Sequence, residues 1–181
     1  MGERNIVIDK LRLNYKGLFK VDELYKFIDE WCRDKGYDKA ELKNTEEVKQ
    51  TGKNIELDIE PYKKLSDYAK SIIHVRIIMS DIKEVEIEKN NVKITMNQGN
   101  IQMIFDGWLE TDYEGEWEGN PVYFFMRKVF EKYVFKPFGS GFEKYVASDL
   151  NHLHSNIKSF LNLYRYSTTP YTSARYDATR F

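Results

Sequence analysis

The sequence predicts a two-layer α+β domain: an antiparallel meander of about six to seven strands, with three helices packed on one face and the last of them long. Three observations lead there. Residues 22–35 and 142–164 carry apolar residues at helical spacing. From Tyr37 to Tyr113 the period changes to two, with apolar and polar residues alternating. Short, turn-like segments join the alternating runs, and short connections make neighbouring strands antiparallel.

The elements follow in order. A strand over Ile6–Tyr15 places Val7, Leu11, Leu13 and Tyr15 on one face, and Lys16-Gly17 ends it. A helix runs from Asp22, read as its N-cap, to Lys35, with Leu24, Phe27, Ile28 and Trp31 as its apolar stripe and Gly36 as its stop. Ile55, Leu57 and Ile59 alternate with Glu56, Asp58 and Glu60, and Pro61 falls near the strand end, where a missing N–H costs little. Ile73, Val75, Ile77 and Met79 alternate with His74, Arg76, Ile78 and Ser80. Val85 and Ile87 form a further short strand among Glu84, Glu86 and Glu88. Val92, Ile94 and Met96 follow a turn at Asn90-Asn91, and Ile101, Met103, Phe105 and Leu109 follow a second turn at residues 97–100.

Asn120-Pro121 has the form of an N-cap with proline at the first helical position, opening a helix to about Lys136, before Pro137. Ser140 and Glu143 then read as the capping box of the last helix. Its stripe is Phe142, Val146, Leu150, Leu153, Ile157, Phe160 and Tyr164. Residues 1–166 read as one domain, and residues 167–181 as a polar tail dotted with aromatics. In this register the helices cover the aliphatic face of the sheet. The other face collects Glu56, Asp58, Glu60, Glu84, Glu86, Glu88, Asp106 and Glu110, with His74, Arg76, Lys93 and Trp108 among them.

Composition narrows the classes of function. The chain has 181 residues, 41% hydrophobic and 31% charged, which suits a globular domain with a sizeable core. A net charge of −1 and an acidic open face argue against nucleic acid as partner. Cys32 is the single cysteine, so no internal disulfide forms and a reducing cytoplasm is the expected setting. Met1-Gly2-Glu3-Arg4 lacks the apolar core of a signal peptide, and no run is long enough for a transmembrane segment. No motif implies a cofactor.

Three places could carry function. His74 and Arg76 point the same way from an Ile-rich strand and, with Trp108, could bind an anionic group or move a proton; the plainer reading is ion pairing across strands. Glu110, Asp112, Glu114 and Glu116 echo the first half of a calcium loop, but Pro121 stands where the bidentate Glu belongs. A solvated acidic loop is the simpler account. The helix over 121–136 is apolar on more than one side, adding Tyr123, Phe124 and Phe130 to its stripe, so it is either sandwiched in the core or covered by a partner. Its Arg127, Lys128, Lys132 and Lys136 keep peripheral membrane contact open. Tyr171, Tyr176 and Phe181 of the tail are too sparse for a core of their own and would suit a partner's pockets.

The expected function is therefore a non-catalytic protein-interaction or assembly module, self-associating through the 121–136 helix, the tail or both. The alternative is a carrier of an apolar small molecule or lipid. A sheet gripping a long C-terminal helix resembles helix-grip ligand-binding folds in outline, and a cavity lined by Met79, Met96, Met103 and Phe105 would mark it. An enzyme using His74 and Arg76 is the third reading.

Overall fold

The computed structural model describes residues 3–49, 52–89, 92–111 and 136–167. They form β1 (Glu3–Phe19), α1 (Val21–Lys35), β2 (Asp38–Lys49), β3 (Gly52–Lys64), β4 (Ala69–Lys89), β5 (Val92–Thr111) and α2 (Lys136–Ser167). The strands make one antiparallel sheet in the order β1-β5-β4-β3-β2. Four strands are thus a simple meander, and β1 closes against the last of them. Both described helices lie on the same face.

The α+β class and the antiparallel sheet hold, but the sheet has five strands rather than six to seven. Among the described residues there are two helices rather than three. Of the helix expected over 121–136, residues 121–135 lie outside those residues, and Lys136 opens α2 instead. Two expected breaks are continuous strand. Residues 97–100, read as a turn, pair with β1 on one side (Gly17 opposite Gly99) and with β4 on the other (Ser80 opposite Asn100). The break after Ser80 is a bulge, with Asp81 at φ 54° and Lys83 resuming opposite Gln98. The segment 38–49, inside the period-two stretch but assigned to no strand there, is an additional strand, β2, rich in charge and mostly exposed.

The bulge also inverts the face assignment beyond it. One extra residue in a period-two strand exchanges the two faces. Ile82 enters the core, Val85 and Ile87 pass to the open face opposite Met96 and Ile94, and Glu84 and Glu86 pass to the helix side. Lys93, placed beforehand on the open face, pairs with Glu86 on the helix side. In β1, two one-residue irregularities between Ile6 and Leu11 cancel, so Val7 packs with Leu109 and Val146 while Leu11 and Leu13 still reach the core.

Helix α1 begins one residue before the expected cap. Lys20 occupies the N-cap without a side-chain bond, and Asp22 sits in the first turn. The Asn97 side chain of β5 accepts from the Val21 N–H at 3.2 Å, supplying from across the sheet an acceptor at the helix start. Gly36 closes the helix in the left-handed region at φ 69°, its N–H donating to Arg33 O. Helix α2 starts at Lys136, earlier than the capping box, and takes Pro137 into its first turn, where no N–H is needed. Val146, Leu150, Leu153, Ile157 and Leu161 are fully buried. Gly107 lets this helix approach, since a Cβ there would meet Leu150 Cδ1 at 2.8 Å.

The core fills the space between sheet and helices. Met79, Met103 and Phe105, expected to line a ligand cavity, have no exposed surface and share one cluster with Leu150, Leu153 and Ile157. Met96 belongs to the opposite face, because residues 97–100 continue the strand and leave it an odd number of residues from the inward Ile101. Cys32 is packed in the same core, and burial pushes its thiol up to about 11.

Candidate functional site

The open face of the sheet gathers the residues singled out in the sequence. His74 lies directly across from Asp106 on β5, and Arg76 directly across from Asp58 on β3. The His74 ring is stacked on Trp108 at 5.6 Å between centroids and 25° between planes. The Arg4 guanidinium also lies over the indole, 5.7 Å from its centroid. Sheet register thus brings His74, Arg76 and Trp108 into one cluster with Asp58 and Asp106. Neither acid had been tied to that site from the sequence, although both stood on its face.

Both imidazole nitrogens face carboxylates. Nε2 is in close contact with Asp58 Oδ1, and Nδ1 lies 3.6 Å from Asp106 Oδ2. Asp58 Oδ1 is enclosed and makes no hydrogen bond, and the imidazole Nε2 lies in contact with it. Arg76 Nη2 donates to the other Asp58 oxygen at 3.3 Å. Asp106 accepts the Lys10 N–H at 2.7 Å, a bond made possible where β1 turns through Lys10 at φ 52°. At 3.6 Å the Nδ1 contact with Asp106 is electrostatic rather than a hydrogen bond. Both ring nitrogens thus face carboxylates rather than open space, and among the described residues no nucleophile adjoins the ring.

The cluster therefore acts as a clamp across β3, β4 and β5. Replacing His74 with alanine strands Asp58 Oδ1 in an enclosed position. The expected loss is about 1–3 kcal/mol of unfolding free energy. Urea denaturation checks it, and His74→Ala with unchanged stability would contradict the clamp.

Glu110, the one described member of the acidic set, is paired rather than free. Arg4 Nε donates to it at 3.2 Å and Lys70 Nζ lies 3.6 Å away. Asp112, Glu114 and Glu116 lie outside the described residues, and within these no group of three or more ligands could hold a metal. Tyr123, Phe124, Phe130, Tyr171, Tyr176 and Phe181 also lie outside them.

A second polar cluster escaped sequence reasoning. Tyr37, Ser71 and Asp149 are buried between the sheet and α2. The Tyr37 hydroxyl donates to Asp149 Oδ2 at 3.1 Å and is 2.9 Å from Ser71 Oγ. Lys35 Nζ reaches Asp149 Oδ1 at 3.3 Å. Lys63 donates to the Lys35 carbonyl at 2.6 Å, satisfying the C-terminus of α1. Its three members come from distant parts of the chain. The one local sign was Asp149, a carboxylate three residues after Val146 and four before Leu153 on the buried stripe. Serine, tyrosine and aspartate together could suggest acyl chemistry, but no described groove reaches them, so they pin the helices to the sheet.

A described groove of about 310 Å³ runs between β1 and the second half of α2. Arg12, Lys16, Lys158 and His154 line it with Asn14 and Asn162, and no acid joins them. Near it, His154 meets the edge of the Phe105 ring and His152 accepts from Trp31 Nε1 at 3.0 Å. The two histidines thus serve different neighbours and do not chelate together. No known protein family, curated protein or solved structure matches the chain, so its function rests on its own residues.

Proposed function

We propose that this chain is a non-catalytic protein-interaction module that associates with copies of itself in a reducing cytoplasm. One observation carries the reading. The two described helices cover only one face of a broad sheet, and the other presents shallow hollows in which Ile78 stands 36% exposed near Ser80, Asn100 and Gln102. Such a surface suits a macromolecular partner better than a small substrate. The occupied state of His74 and the buried, protonated thiol of Cys32 take reactive chemistry away from the enclosed positions. The 121–136 segment and the tail supply the apolar residues for contact, with Phe124 and Phe181 as anchors. The carrier reading has no observation in its favour, because α2 packs directly on the sheet.

Native mass spectrometry of the full chain and of a chain ending at Tyr166 tests the proposal. The expected result is a multimer that loses mass beyond the deleted residues when the tail is removed. A bare monomer for the full chain at every concentration contradicts self-association. A monomer carrying a discrete extra mass, lost on denaturation, returns the argument to the carrier.

A further inference from the structure

Strand β2 is the open edge of the sheet farthest from β1. It is 12 residues long, pairs only with β3 among the described strands, and is exposed from Glu41 to Lys49. Leu42 and Val48 are 58% and 78% exposed there. A long strand edge is a template for pairing with another strand, and charges normally restrict what it accepts. Here the charges select one partner.

We propose that β2 pairs antiparallel with β2 of a second copy about a two-fold axis at Thr45, joining two sheets into one. The proposal rests on the self-association reading and gives it a second surface. In an antiparallel pair, opposed residues share a face, so the axis must fall on a residue rather than between two. Centred on Thr45, the register opposes Lys43 to Glu47 and Asn44 to Glu46, each twice by symmetry, while Leu42 sits in the bulge between Glu41 and Lys43. Opposite charges meet, and an amide meets a carboxylate.

The neighbouring registers fail on charge. Centred on Asn44, Lys43 meets only Thr45 and gains no carboxylate; centred on Glu46, that carboxylate opposes its own copy while Lys43 opposes Lys49. A register favoured over its neighbours is what a specific isologous contact requires, and it closes at two copies instead of growing into a fibre.

Cross-linking tests the register directly. Thr45→Cys places two thiols across the axis, within the separation of directly opposed residues, which a disulfide spans. Mild oxidation is expected to yield a covalent dimer for Thr45→Cys and much less for Lys43→Cys or Glu47→Cys, with Cys32 buried and silent. Lys43→Glu and Glu47→Lys are each expected to weaken the dimer about tenfold, and the double exchange to restore it. No Thr45→Cys dimer, equal cross-linking at all three positions, or a double exchange as weak as the single variants would each overturn the proposal. Native mass separates the two failures: a multimer without the Thr45→Cys cross-link rejects this edge alone, whereas a monomer rejects self-association as well.

Discussion

Leu153→Ala is expected to lower the free energy of unfolding by about 2–5 kcal/mol. Leu153 has no exposed surface and lies midway along the buried stripe of α2, between Leu150 and Ile157. It belongs to the cluster that joins this helix to Val75, Ile77, Met103 and Phe105 of the sheet. Truncation there removes apolar contact and leaves a cavity, because Gly107 already brings helix and sheet too close for further collapse. Urea denaturation reads the change as a lower midpoint with an unchanged slope. Leu163→Ala is the control: that side chain is 69% exposed on the same helix and should change stability by less than about 0.5 kcal/mol. Equal effects at the two positions would mean that α2 is not docked as described.

Tyr37→Phe is expected to cost about 1–3 kcal/mol at neutral pH, and the cost should shrink in alkali. The phenylalanine ring fills the same space but leaves Asp149 Oδ2 and Ser71 Oγ without the hydroxyl between them. Burial is the main reason that the Tyr37 phenol is held above its ordinary range, and the nearby Asp149 carboxylate adds to it. The folded protein therefore keeps this proton after the unfolded chain has begun to release it. A raised folded value stabilises fully below the unfolded one, near 10 for tyrosine, and the benefit declines as pH rises past it. Cys32 follows the same sign over a lower window, from its ordinary value near 9 to about 11. Urea midpoints of wild type and Tyr37→Phe at pH 7 and pH 10.5 check both parts. Midpoints that stay equally far apart would show that the phenol does not titrate as its burial requires.

Much of the architecture was legible because it is local. The stripe of α1 and its stop at Gly36, the stripe of α2, and the inward set Ile73, Val75, Ile77 and Met79 are periodic features that a chain displays before it folds. They identify the class, and they place the helices on the aliphatic face. What failed was punctuation. Residues 97–100 contain asparagine and glycine, which favour turns, but β1 and β4 claim their backbone groups from either side. The segment from Ser80 to Lys83 looked like an end because a bulge, like a turn, interrupts the alternation. β2 fell within the period-two stretch but was not picked out as a strand, because an edge strand open to water has no need of an apolar face.

The candidate site divides in the same way. Alternation along single strands put His74, Arg76 and Trp108 on one face, and that determination belongs to the sequence. Register decided which acids they meet, and register depends on hydrogen bonds between strands far apart in the chain. The pin of Tyr37, Ser71 and Asp149 belongs wholly to the tertiary structure, since three elements must dock before any of these groups loses its water. Periodicity reports which way a side chain points; only packing decides what stands opposite it.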